Sequence, residues 1–234
     1  MSFRVAIRAA LCAALLLTES CGGGSKRPPR ATLGPEVDSN SEIRFEDLPV
    51  TRLERSRVPI PNAENPSLGP TNAMVVVQMW SDFECPFCAE VHPVLLEVLR
   101  AYAGKVRLVW RDYPLPFHAH SRLAANAGRE AYAQGGADAF WKFHDAVYGA
   151  NSPRLDAEGL EQFAAKTGLN GARFREALST ERHEPEIKRD FAAGSALGVE
   201  GTPAFLVNDY FFIGAIPIEI MRVIVDRALA DAGA

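Results

Sequence analysis

The sequence is short of cysteine, of long apolar runs and of clustered basic charge, and each shortage excludes something. Four cysteines in 234 residues are too few for a small secreted scaffold held together by disulfides. No uncharged stretch approaches the roughly 20 residues that a helix needs to cross a bilayer. Lys and Arg total 25 against 29 Asp and Glu, a formal net charge of -4. No basic cluster accompanies an aromatic platform, so nucleic acid is not an expected partner. No internal repeat is visible. What remains is a chain with 47% hydrophobic residues, long enough to bury one sizeable core and carry extra segments.

The N-terminus reads MSFRVAIRAALCAALLLTESCGGGS. Arg4 and Arg8 precede the apolar run 9–17, which is too short for a membrane span and has the layout of an export signal. Residues 1–21 are therefore expected to be a signal. Cys21, followed by Gly22, Gly23, Gly24 and Ser25, resembles a bacterial lipoprotein junction, although Thr18 and Glu19 stand where such junctions carry Leu and a small residue. Small residues near the end equally suit an ordinary signal peptidase, and both routes stay open. In the lipoprotein route Cys21 carries the acyl chains, and that anchor is the chain's one contact with a membrane. Residues 22–55 are rich in Gly, Pro, Ser and charge with scattered apolar residues, the composition of a disordered tether with one helical turn near Phe45–Leu48.

The ordered part is expected over 56–234. "RVPI" from Arg57 reads as an edge strand, where Pro59 is tolerable, and "NPSLGPTN" as a turn cluster. The Val-rich run from Met74 to Trp80 suits a strand covered on both faces. A loop, Ser81–Glu84, leads to a helix that opens at Cys85 and Cys88, with Val91, Leu95, Val98 and Leu99 at helical spacing and Pro93 expected to kink it. Lys105–Trp110 reads as the next strand. From about 118 to 198 the pattern is helical, with Asp138, Asp156 and Asn170 as expected N-caps, Pro185 in a first turn and Gly198 at an end. Asn208-Asp209 between "AFLVN" and "YFFIG" signals a hairpin, and a last helix starts near Pro217. The expected class is α/β, with a helical block inserted between the central strands and a C-terminal hairpin.

Without the leader the chain keeps Cys85 and Cys88, three positions apart in "SDFECPFC". As a brace they achieve little, because so short a loop hardly restrains the unfolded chain. As a metal site they supply two ligands of the four that structural zinc wants. His92, His118, His120, His144 and His183 offer no second pair at zinc spacing; His144 and His183 are expected on helix surfaces and the others in loops or at the rim. No metal and no cofactor are therefore expected. Electron transfer fits the geometry: Cα atoms three apart on a helix's first turn lie roughly 5 Å apart, within disulfide range. Pro86 suits a first turn, since its missing N–H has no intrahelical partner there. The helix N-terminus favours thiolate at the first sulfur, which makes Cys85 the attacking residue and Cys88, one turn in, the resolving one.

A strand, Ser-Asp-Phe, Cys-Pro-x-Cys at a helix start, a proline eight residues past the first cysteine, a helical insertion and then "GVEGTPAFLVN", together with "LVWRDYPLPFHAHS", resemble the DsbA-like branch of the thioredoxin superfamily. The resemblance covers about 57–232. It implies a thioredoxin-like fold and an exported thiol:disulfide oxidoreductase in the periplasm or cell envelope. It also implies a cis bond at Pro203, with Thr202 beside it pairing to extended substrate segments. One departure stands out: many relatives carry a buried carboxylate six residues before the first cysteine, where this chain has Met79. Glu84 and Glu90 read as solvent-facing acids, so proton exchange at Cys88 is expected to use water.

Direction is less determined. Potentials in this group span about 150 mV, roughly 7 kcal/mol, on one architecture, and Phe87 gives Cys85 neither charge nor hydrogen bond. Export, the type of insertion and the absence of a dimerisation segment in the tether favour a monomeric oxidase of reduced or misoxidised exported proteins, recharged by an unidentified membrane redox partner. The alternatives are a reductase kept reduced by such a partner, or a non-catalytic lipoprotein that grips peptides or an assembly partner.

Overall fold

The computed structural model describes residues 43–150 and 152–233. The expected signal, Cys12, Cys21 and most of the expected tether lie outside the described residues. Two parallel strands form the centre of the sheet, β3 (Val75–Ser81) and β4 (Val106–Asp112), in register from Val75 opposite Val106 to Ser81 opposite Asp112. Both are buried along almost their whole length, as a strand covered on two faces requires. The hairpin strands β5 (Ala204–Val207) and β6 (Tyr210–Ile213) turn through Asn208 and Asp209, with Asn208 at φ 52°. A two-residue hairpin needs that left-handed backbone, which Asn tolerates. β5 runs antiparallel to β3. Two-residue edge strands, β1 (Thr51–Arg52) beside β6 and β2 (Ser67–Leu68) beside β4, complete the order β1-β6-β5-β3-β4-β2.

Helix α1 (Pro86–Ala101) follows β3 directly. It shares a core with α6 (Ile218–Ala232) against Val75, Val77 and Met79 of β3. Between β4 and β5 lie α2 (Ser121–Tyr148), α3 (Ala157–Lys166), α4 (Gly171–Ser179) and α5 (Glu184–Leu197). Asp156 and Asn170 cap α3 and α4 through their side chains, to Gly159 and Arg173 amides, and Gly198 ends α5 in the left-handed conformation. α5 covers the opposite face of the sheet, where Leu197 packs with Trp80, Tyr113 and Leu206.

Several expectations need correcting. Residues 43–55 are part of the fold. Phe45–Asp47 is a 3-10 turn with Phe45 against Tyr210, Thr51–Arg52 pairs with β6, and Leu53 is buried. "RVPI" is not a strand: a 3-10 turn spans Arg55–Arg57, and the carbonyl of Pro59 instead accepts from the Gln78 side chain at 2.8 Å. The expected turn cluster contains β2. Asp138 caps nothing; the break in α2 falls at Gly135 and Gly136, and the φ of 66° and ψ of -155° at Gly136 suit glycine. α1 runs on through Pro93 as one helix.

Beneath the sheet, Asp190 of α5 gathers buried donors. It accepts from Arg111 at 2.8 Å, from Asn65 at 3.2 Å and from the Asp112 amide at 3.2 Å, and it pairs with Arg129, which also pairs with Asp112. Two buried guanidiniums thus meet two buried carboxylates, so no charge is left uncompensated. This joins β4, α2 and α5, and fixes the helical block on the sheet.

Candidate active site

The end of β3 and the start of α1 are separated by four residues, Asp82–Cys85, which place both cysteines. Cys85 is the N-cap of α1 with extended backbone, and Pro86 is its first residue. The Cys85 amide donates to the Asp82 carbonyl at 3.0 Å and the Cys88 amide to the Cys85 carbonyl at 3.1 Å. Both cysteines are free thiols. Cys85 keeps 4% exposure and Cys88 none, while Pro86 is exposed and Phe87 half-buried.

Opposite the sulfur lies the loop that enters β5. The Thr202–Pro203 bond is cis, and the Cys85 thiol donates to the Thr202 carbonyl at 3.3 Å. The sequence-derived residues Cys85, Cys88, Pro86, Phe87, Thr202 and Pro203 therefore meet at one place. They do so because β3 and β5 are hydrogen-bonded neighbours, with Trp80 opposite Ala204.

The two sulfurs differ electrostatically. Cys85 is lowered to about 6, chiefly by a hydrogen bond from Cys88. Burial opposes this, and the Thr202 hydroxyl, otherwise without a partner, and the Phe87 and Cys88 amides reinforce it. The helix terminus thus contributes through named amides but is not the leading cause. Cys88 is pushed well above the ordinary thiol value, first by burial and then by the adjacent Cys85; the Ser81 hydroxyl and Asp82 amide pull the other way.

The surroundings of Cys88 hold groups that local sequence patterns do not reveal. Met79 is buried, as expected of its place in β3, but a carboxylate is present three residues before Cys85 instead of six. Asp82 is buried, and burial raises its pKa. Its Oδ1 accepts from the Glu84 amide at 2.8 Å, and its Oδ2 accepts from the Leu115 amide at 2.8 Å and lies 2.8 Å from His118 Nδ1. The Tyr148 hydroxyl donates to the Asp82 carbonyl at 3.1 Å and lies 3.2 Å from Ser81 Oγ. The buried thiol thus has hydroxyls and an amide beside it. Glu84 is half-buried, not solvent-facing, and its carboxylate accepts from the His120 amide at 2.7 Å.

The histidines also differ from expectation. His144 is fully buried, lowered to about 4 by that burial. His183 is buried against Glu130 at 2.8 Å, and His92 is buried on α1.

A thioredoxin-like sheet with a Cys-x-x-Cys pair in the first turn of its helix, and a cis-proline loop against it, defines a thiol:disulfide oxidoreductase. Comparison with known proteins agrees. A family model described as Thioredoxin matches residues 62–227. The chain belongs to this family, in its DsbA-like branch. It is 30% identical over 155 residues to the probable disulfide bond formation protein D of Bacillus anthracis, covering 61% of this chain and 69% of that one. A solved thioredoxin-like oxidoreductase from Silicibacter pomeroyi DSS-3 superposes with a TM-score of 0.65 at 28% identity, covering 72% of this chain and 94% of that one. The Na(+)/H(+) antiporter NhaA 3 of Salinispora tropica is 36% identical over 176 residues, 75% of this chain but 26% of the antiporter. The chain spans about a quarter of the length of such relatives. No helix among the described residues is long and apolar enough to cross a membrane.

Proposed function

We propose that this oxidoreductase works as an oxidase, donating the Cys85–Cys88 disulfide to reduced exported proteins in the periplasm or cell envelope. The observation that carries the reading is the asymmetry of the two sulfurs: a low-pKa Cys85 beside a buried, high-pKa Cys88. In the forward step a client thiolate attacks Cys85 Sγ and the Cys85–Cys88 bond breaks. Cys88 leaves with the electron pair and takes up a proton, beside the Ser81 hydroxyl and the Asp82 amide. A second client thiolate then attacks the client sulfur of the mixed disulfide. Cys85 departs as a thiolate, a leaving group that its low pKa favours, and the client carries the new disulfide. In recharging, the Cys85 thiolate attacks a disulfide of a membrane redox partner and Cys88 resolves the mixed species. The client's extended backbone pairs with Thr202 as an added strand, with Pro203 holding that carbonyl beside the sulfur.

The working form is a monomer, held at a membrane only if Cys21 is acylated; mass spectrometry of the mature N-terminus tests this. The equilibrium potential against glutathione tests direction. A value near or above about -180 mV supports an oxidase, whereas a thioredoxin-like value near about -270 mV overturns it in favour of a reductase. Refolding of a reduced, disulfide-containing client gives the activity itself, with Cys85→Ser expected to abolish turnover.

A further inference from the structure

One turn beyond Cys88 on α1, His92 meets His144 and Asp145 of α2 in an arrangement that the redox chemistry does not use. His92 Nε2 lies 3.1 Å and His144 Nδ1 2.9 Å from the same oxygen, Asp145 Oδ1. The ligand atoms of all three residues fall within 4.8 Å of one another. Two imidazoles that converge on one carboxylate oxygen leave their other nitrogens, His92 Nδ1 and His144 Nε2, buried without a hydrogen-bond partner. Buried polar atoms usually have one, so two orphans in adjacent rings call for an explanation.

We propose that His92, His144 and Asp145 form a binding site for a first-row divalent cation of the Zn2+ type, with its remaining coordination open to water. The donor set is two nitrogens and one oxygen, which suits zinc, nickel or cobalt and not magnesium or calcium. Bonds of about 2.0–2.2 Å in tetrahedral geometry place neighbouring ligands about 3.3 Å apart. The two observed separations from Asp145 Oδ1 need to widen only by a few tenths of an ångström to reach this. The carboxylate, with its side chain 57% exposed, gives the ion a route in and the outer position a water. Metal at the inner nitrogens turns the orphaned ones into N–H donors. The His144 ring lies edge-on to Tyr148 at 4.4 Å and Trp110 at 5.2 Å, rings whose faces can receive an N–H weakly. A bound ion would tie α1, the helix that carries both cysteines, to the helical block.

The test uses the full chain with Cys85–Cys88 oxidised and the remaining thiols alkylated, so that sulfur cannot ligate. Zn2+ is expected to raise the melting temperature where Mg2+ does not. Ni2+ or Co2+ should quench tryptophan emission, because the Trp141 ring lies 4.8 Å from that of His144 and stacks on His92. Asp145→Asn, at a half-exposed position, and His92→Gln should each weaken Zn2+ at least tenfold. Absence of both the thermal shift and the quenching in the unmutated protein overturns the proposal. So does an affinity unchanged by both substitutions, which would mean the ion sits elsewhere.

Discussion

Titrating the reduced enzyme from about pH 9 to about pH 5 should remove a stabilisation that only the reduced state has. Cys85 in the folded protein is lowered to about 6 from an ordinary 9.0. A depressed pKa favours the folded, reduced form fully above the unfolded value. The benefit then declines as pH falls and is gone below about 6. At pH 9 and above, the three-unit shift is worth about 4 kcal/mol. At pH 7 only the interval from 6 to 7 counts, about tenfold or about 1.4 kcal/mol. Cys88, pushed upward, stays protonated in the folded protein throughout; it has no effect near pH 7 and works against stability only as pH approaches the ordinary thiol value. The oxidised protein has no thiol to ionise, so the whole difference falls on the redox couple. It makes the pair about 30 mV more oxidising at pH 7 than an unperturbed dithiol. Two measurements check this. Ultraviolet thiolate absorbance of the reduced enzyme should show a midpoint near 6. The potential should change by about 59 mV per pH unit below that midpoint and about 30 mV above it, as the proton count falls from two to one. A thiolate midpoint above about 8, or one steep slope maintained through pH 8, refutes the reasoning.

Other perturbations read different parts of the molecule. Asp82→Ala strips the partner from two amides and from His118 and should cost roughly 3 kcal/mol in urea unfolding. Asp190→Ala leaves two buried guanidiniums short of a counter-charge and should cost about 3–5 kcal/mol, measured the same way. In Gly194→Ala the new Cβ would meet Trp80 Cδ1 at 2.7 Å and Tyr113 Cδ2 at 2.9 Å. The overpacking should cost about 1–3 kcal/mol, and calorimetry should show the melting temperature falling by about 2–4 °C per kcal/mol.

The parts of the fold with a regular period were legible in the sequence: the Val-rich β3, the helix behind the cysteines, the hairpin at Asn208-Asp209 and the last helix. Two-residue strands such as Thr51–Arg52 and Ser67–Leu68 have no period to detect, and their existence depends on neighbours distant in the chain. His144 stands at helical spacing with Phe140 and Val147, so its burial was written in the pattern; the polarity of imidazole hid it. Asp82 had no such signal. It sits in a short loop, and what buries it arrives from Leu115, His118 and Tyr148, brought back by the fold. The cysteine pair was legible because its chemistry depends on local spacing, whereas the Thr-Pro loop was reached through the family resemblance. The groups that tune that chemistry come from remote segments.

The register of Trp80 against Ala204 has a consequence for how this enzyme can vary. One ladder of main-chain bonds sets the distance between the reactive sulfur and the proline loop, since the residues on either side of that gap hang from the ends of adjoining strands. Substitutions that reshape the neighbouring surface can therefore change which clients are welcomed while the spacing between sulfur and loop is preserved. Diversity of preference and constancy of reaction are thereby assigned to separate parts of the same small framework.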